Sequence, residues 1–419
     1  MSQFTPDRAR SAQRALIVMF FTHGFSATVW VPRIPQLIDQ IGVNFVQWGT
    51  MLGLTGLGAL LPLMFTNRLV SRFGTRPVIR IAAALVTGFL VAIPWSHNWA
   101  VFFALQMAQT MAFSAYNIAV NSAGVMLQKK MQKTILGNLH AAWSIGAASS
   151  AALSGLLVFM NFQLNIFIVG AVCALSFQLA GRKLLEPTID GHNNEAGREQ
   201  KISWLRTPPF VWLLTAGLFT GVWPEVVMID WSSVFGKKVL LLDPGLSAIP
   251  YTVFTVAMII GRLAINPVTK RFHISQFSKW GGMIGSGFML SAVVVGPLFN
   301  STDKLMGLLL SSILFGIAGF GVGPMVPSFF SAAGNVLGLT TAQALSRMSM
   351  MNTFIILGAK TLMGAIAQGS VQLAFFFPVV TLFAAGIISA SVVIKAKKNE
   401  DAMLRAFPMT GPIDLSEVN

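Results

Sequence analysis

Asn67-Arg68-Leu69-Val70-Ser71-Arg72-Phe73 returns 199 residues later as Asn266-Pro267-Val268-Thr269-Lys270-Arg271-Phe272, with the Asn, the second Arg and the Phe unchanged. Each copy closes an apolar run and opens a basic connection, and the offset is about half of the 419-residue chain. A motif recurring at the same place in each half points to a duplicated membrane bundle, since internal repeats underlie many transporter folds. Composition agrees. The chain is 54% hydrophobic and 10% charged, with a mean hydropathy of +0.69, whereas soluble proteins carry about 25% charged residues.

Outward from the two copies, apolar runs give twelve expected spans: roughly Arg14 to Ile41, Gln47 to Leu69, Val78 to Trp95, Trp99 to Leu127, Thr134 to Met160, Leu164 to Ala180, Phe210 to Phe235, Leu246 to Thr269, Phe277 to Phe299, Leu305 to Ala333, Thr341 to Ala367 and Val371 to Ile394. Their lengths suit the ~20 residues that cross a bilayer. The polar stretch between spans six and seven reads as a solvated linker. The expected division is therefore residues 1–180 for one six-helix half, 181–207 for a cytoplasmic linker, 208–395 for the second half and 396–419 for a cytoplasmic tail.

A net charge of +15 would suggest nucleic acid in a soluble protein, but here the basic residues fall in short connections between spans. With the N-terminus inside, 22 of the 29 Lys and Arg lie on the cytoplasmic face, and only Lys237, Lys238 and Lys304 lie outside. The positive-inside rule then puts both ends in the cytoplasm of a cell whose inner membrane holds the protein. The first run is too long for a signal peptide and lacks a small-residue cleavage pattern. Cys173 is the lone cysteine, so neither an intrachain disulfide nor a cysteine metal cluster is expected.

Arg72-Phe73-Gly74-Thr75-Arg76 resembles the second part of the signature loop of the major facilitator superfamily, Gly-x-Leu-x-Asp-Arg-x-Gly-Arg-Arg, with Asn67 at the first Gly and Ser71 at the Asp. Trp30-Val31-Pro32-Arg33-Ile34-Pro35, Asn117-x-x-x-Asn121-x-x-Gly124, Glu225 with Asp230-Trp231, Gly261-Arg262 and Gly321-Val322-Gly323-Pro324 through Pro327 are similar to the fucose-permease-like branch. The resemblance spans the chain. It implies an all-α fold of twelve transmembrane helices in two pseudo-symmetric six-helix halves, and alternating-access transport of a small polar solute. It also implies that spans one, four, seven and ten surround the cavity. The carboxylates that proton-coupled fucose symporters carry in spans one and four correspond here to Val31 and Asn117. The Gly- and Pro-rich antiporter run of span five is absent from Ile145-Gly146-Ala147-Ala148-Ser149-Ser150.

Four bases, Arg33, Arg262, Arg347 and Lys360, fall inside spans. Ionisable groups there cost about 2.5–3.5 kcal/mol at the bilayer centre and face a partner or a wet cavity. Glu225 lies about 15 Å deep by the helical rise, directly after Trp223-Pro224. It is the expected proton-coupling and solute-binding group, the other reading being a structural carboxylate paired with a base. Asp230, one turn outward, is expected at an outer gate or helix cap, with a smaller share in coupling.

Arg33 follows His23, Ser26 and Trp30 at helical spacing and could grip a carboxylate or phosphate, snorkel, or pair with Glu225 or Asp230. Lys360 crowns a polar stripe with Ser346, Ser349 and Thr353, where it would meet solute or Glu225. Gln106, Thr110, Ser114, Asn117 and Asn121 share one face of span four; Asn117 and Asn121 are expected to touch solute, the alternative being interhelical hydrogen bonds. Arg72, Arg76, Arg262 and Arg347 are expected gate residues.

No phosphate-cradling Gly-x-x-x-x-Gly-Lys-Ser/Thr run and no His-Glu-x-x-His occurs, which argues against an enzyme and against ATP as the energy source. No cofactor or metal is expected. The sequence thus reads as a monomeric, proton-coupled secondary transporter of a sugar, organic anion or zwitterionic metabolite, with solute, proton and lipid as its partners. The alternatives are a metabolite efflux carrier, a uniporter, or a non-transporting membrane sensor of the same fold.

Overall fold

A computed structural model describes residues 6–132, 135–160, 207–299, 302–336, 339 and 341–406. The expected sixth span, nearly all of the linker and the end of the tail lie outside the described residues. All regular structure among the described residues is helical. Span one comprises Pro6–Thr28, a tight turn at Val31–Arg33 and Ile34–Ile41; span two comprises Phe45–Thr55 and Leu60–Phe73. Spans three, four and five are Thr75–Ala92, Trp99–Met131 and Leu136–Phe159. Span seven is Pro209–Lys238, span eight Ile249–Leu263 with Ile265–Thr269, and span nine Ile274–Val295. Span ten is Lys304–Val322 with Met325–Ala332, span eleven Thr341–Gly369, and span twelve Val371–Ala374 with Phe376–Ala406.

Ten of these eleven spans are long and apolar enough to cross a bilayer. The other, span four, is a continuous 33-residue helix diluted by its polar stripe. Local chemistry sets the breaks. Proline lacks the N–H that continues a helix, and span one is interrupted around Pro32 and Pro35, as span ten is at Gly323-Pro324. Span two begins with a reciprocal cap, in which Gln47 N donates to Asn44 Oδ1 and Asn44 N to Gln47 Oε1, satisfying two amides that the first turn leaves free.

Within the first half, span one packs on five, three on four, and two on four; in the second, eight packs on ten, nine on ten and twelve, and seven on eleven and twelve. The halves meet where span two lies against eleven, five against eight, and the outer part of one against seven. Spans two and eleven touch backbone to backbone: a methyl group on Gly49 would strike the Lys360 carbonyl oxygen, and one on Gly364 would strike that of Phe45. Small residues allow such approach, which stands in for a hydrophobic driving force that lipid does not supply.

One buried cluster joins the halves at the end marked by Ile41, where Ile38, Trp48 and Phe102 share a core with Trp231, Phe235 and Met363. The second cluster, including Leu16, Phe20, Ile79, Tyr116 and Leu139, draws on the first half alone. Among the described residues the halves are thus sealed together at the Ile41 end.

Candidate functional site

Span seven carries the acids. It runs unbroken through Pro224, which leaves the Thr220 carbonyl without the amide a regular helix would supply. One residue further, Glu225 Oε2 accepts from Arg262 Nη2 at 2.9 Å, and the side chains are 19% and 29% exposed respectively. Arg262 is aimed there by its neighbour. Gly261 lets span eight press on span ten, where a methyl group would meet the Phe320 carbonyl, and this contact fixes the face that Arg262 turns toward span seven. Glu225 stands 13 residues from the Lys238 end of its helix, about 20 Å along it, near the middle of the helix.

Asp230 lies closer to the sealed end. Its Oδ2 is 2.8 Å from Lys360 Nζ of span eleven, with Asp230 6% and Lys360 18% exposed. Lys360 therefore meets Asp230, the span-seven acid nearer the Ile41 end, while Glu225 goes to Arg262. Tyr251, buried on span eight, stands within electrostatic range of Glu225, Asp230 and Arg262. Two carboxylates and two bases, all from the second half, thus form a charge-balanced cluster at two depths.

The expected face of span one does not form a continuous stripe. The helix ends at Thr28 and a tight turn follows, so the 3.6-residue period does not carry from His23 to Arg33. His23 is buried, its ring 3.9 Å from that of Phe113 and 4.8 Å from Tyr116 between centroids. Ser26 Oγ donates to the His23 carbonyl. Trp30 is buried, its indole donating to the Ala27 carbonyl at 3.0 Å and its ring 6.2 Å from Trp48. Arg33, half-buried, donates to Gln36 Oε1 at 2.8 Å.

Span four splits its stripe between two uses. Gln106 is buried, and Ser114 Oγ donates to the Ala59 carbonyl of the turn within span two at 2.8 Å. Asn117 is exposed, and its Oδ1 accepts from Asn121 Nδ2 at 2.9 Å, which leaves the Asn117 amide nitrogen to donate elsewhere. Arg347 is buried and donates to Thr207 Oγ1 at 2.7 Å, just ahead of span seven, so this contact ties span eleven to the end of the linker. Arg72 is exposed and rests over the Phe73 ring at 5.2 Å; Arg76 is half-buried in the first turn of span three.

The model of the Major Facilitator Superfamily matches residues 16–342. The chain belongs to this superfamily. An uncharacterized MFS-type transporter of Yersinia pestis is 25% identical over 370 residues, covering 87% of this chain and 91% of its own. An uncharacterized transporter of Sinorhizobium fredii is 27% identical over 403 residues, covering 91% and 98%. Among solved structures, a D-xylose-proton symporter superposes with a TM-score of 0.69 at 13% identity, covering 91% of this chain and 97% of that one. The all-α membrane fold inferred from the sequence is the fold of this superfamily.

Two contacts of this MFS protein were not singled out from its sequence. Lys237 Nζ and Asp39 Oδ2 lie 2.7 Å apart across the halves, and Gln368 Oε1 accepts from the Phe45 amide that opens the second helix. Span one and span seven begin their respective halves, so repeat symmetry could have paired their outer ends. Nothing in the local sequence marks Gln368.

Proposed function

We propose that this MFS protein is a secondary active transporter that carries a small polar solute across the cytoplasmic membrane by alternating access, coupled to protons through Glu225. The observation that carries the reading is the Glu225–Arg262 pair, part-exposed near mid-membrane. Removing one partner from a buried pair costs about 3–5 kcal/mol because a charge is left uncompensated. A proton arriving on Glu225 therefore frees Arg262 at a cost that a carboxylate or another strong acceptor on the solute offsets. Proton and solute then load together. The family likeness of Trp30 to Pro35 and of Asn117 to Gly124 supports a sugar or related metabolite, and the solved D-xylose-proton symporter shares the fold.

In this reading Asn117 and Asn121 supply amides to the solute, Trp30 and Arg33 support the outer wall, and Asp230 with Lys360 closes the second charge layer. Arg72, Arg76 and Arg347 work at the gate opposite the sealed end. Both termini are then cytoplasmic, as the basic connections favour, the Ile41 end faces outward, and the protein acts as a monomer of two six-helix halves, residues 1–180 and 208–395.

The test is reconstitution in liposomes with an internal pH dye, screening sugars, carboxylates and amino acids with wild type and Glu225→Gln. Solute-driven proton movement in wild type, and solute exchange without it in Glu225→Gln, is the expected result. Solute movement with no proton signal in either protein makes this a uniporter or exchanger and leaves Glu225 a structural partner of Arg262.

A further inference from the structure

Between spans two, three and four, on the flank of the first half, lies a slot of about 550 Å³ lined by Phe65, Leu69, Phe73, Ile81 and Met111, with Thr66 as its one hydroxyl-bearing wall. Spans three and four pack closely, while the Leu60–Phe73 part of span two packs more on span four than on span three, and the slot occupies the space this leaves. Thr66 is fully buried, yet its Oγ1 has no hydrogen-bond partner. A buried hydroxyl left unpaired costs free energy, so this one awaits an acceptor inside an otherwise apolar wall.

The mouth of the slot is cationic. Phe73 and Pro77 belong to its lining, and Arg72 and Arg76 precede each of them directly. Arg68 and Arg72 are exposed, Arg72 lies over the Phe73 ring, and Arg80 Nε is buried without a hydrogen bond. Span three starts beside them at Thr75 with no side-chain cap, and the free amides of a helix N-terminus favour an anion. No countercharge comes from nearby sequence. Between Asp39 and Glu186 the chain contains no Asp or Glu at all, and Asp39 is engaged with Lys237. Ser71, at the place where the signature loop has its acid, turns its hydroxyl to the Arg68 carbonyl instead.

We infer that the slot holds one anionic glycerophospholipid, with an acyl chain between spans two and three, its phosphate on Arg68, Arg72 and Arg80 at the mouth, and an ester carbonyl accepting from Thr66. Thr66 is seven residues from Phe73, about 10 Å along the helix, which places the hydroxyl below the headgroup and beside the start of the chain. Basic clusters at the membrane surface attract acidic lipids at about 1 kcal/mol per Lys or Arg. The lipid supplies the negative charge that residues 40–185 lack and fills the space between spans two and three.

Native mass spectrometry of the full chain in detergent tests this, titrating phosphatidylglycerol and phosphatidylcholine of identical acyl chains. One phosphatidylglycerol is expected to bind at least about tenfold more tightly than phosphatidylcholine. The preference should fall with Arg68→Gln/Arg72→Gln and survive Arg68→Lys/Arg72→Lys, which keeps the charge and reports that the fold is intact. Ile81→Trp, or Leu85→Phe should the larger residue not fold, fills the slot and should weaken phosphatidylglycerol equally. Equal binding of the two lipids overturns the inference. So does phosphatidylglycerol binding that the slot-filling variants leave untouched, or that glycerol phosphate displaces as well as the intact lipid does, since the mouth would then be a site for free phosphate alone.

Discussion

Lys237 Nζ stands 2.7 Å from Asp39 Oδ2, joining spans one and seven across the two halves at the Ile41 end. Asp39 is exposed and Lys237 partly so, and such a pair contributes only about 0–1 kcal/mol to stability. Its position gives it leverage on conformation, because it exists only while this end is closed. Lys237→Glu should shift the population toward opening at this end by a few-fold. The swap Asp39→Lys/Lys237→Glu should return it to the wild-type position. Distances between spin labels on the outer ends of the two spans would report both; a swap that behaves like the single variant would show that the contact is incidental.

Spans two and eleven bring the halves together through the backbone contact of Gly49 with Lys360 and of Gly364 with Phe45. A methyl group at either glycine meets a carbonyl oxygen that cannot move without its helix. Gly49→Ala and Gly364→Ala should therefore hold spans two and eleven apart and favour the arrangement open at the Ile41 end. Gly88→Ala, where nothing lies within 4 Å of the new methyl, should leave the equilibrium unchanged. Cysteine accessibility on the facing surfaces of spans two and eleven distinguishes these outcomes.

Much of this architecture was legible because apolar runs, basic connections and a half-chain repeat are local signals that the bilayer makes strict. The eleven described spans fall where those signals put them. The partners of the charges were less legible. Lys360 could be placed near mid-membrane by counting along its helix, yet whether it faced Glu225 or Asp230 depended on the rotation of span eleven, which the glycine contacts with span two decide. Arg262 was expected at a gate from its distance to the helix end; close packing through Gly261 turns it to Glu225. His23 and Arg33 were read on one face because spacing assumes a continuous helix, and the turn at Val31–Arg33 breaks that assumption.

The two ion pairs differ in burial, and their variants should differ with it. Asp230 is the most enclosed of the four charges, so Lys360→Met should leave an unpaired carboxylate and cost about 3–5 kcal/mol. Asp230→Asn/Lys360→Met, which removes both charges, should recover most of that loss. Arg262→Met should cost less, since Glu225 is partly open to water. Thermal unfolding of the four proteins in one detergent gives the comparison, and equal losses at both pairs would contradict the burial argument.

Asn117 separates a solute contact from a structural one. Its Oδ1 is held by Asn121, and the residue is exposed, so little packing depends on it. Asn117→Ala should change stability by less than about 0.6 kcal/mol, the average of an interhelical hydrogen bond in membranes. If Asn117 donates to the solute, the same substitution removes a hydrogen bond made only when solute is present, worth about 0.5–1.5 kcal/mol between neutral groups. The solute concentration for half-maximal uptake should then rise by roughly two- to tenfold, with melting temperature unchanged. A drop in melting temperature with unaltered uptake would assign Asn117 to helix packing and leave the amide face of span four without a part in recognition.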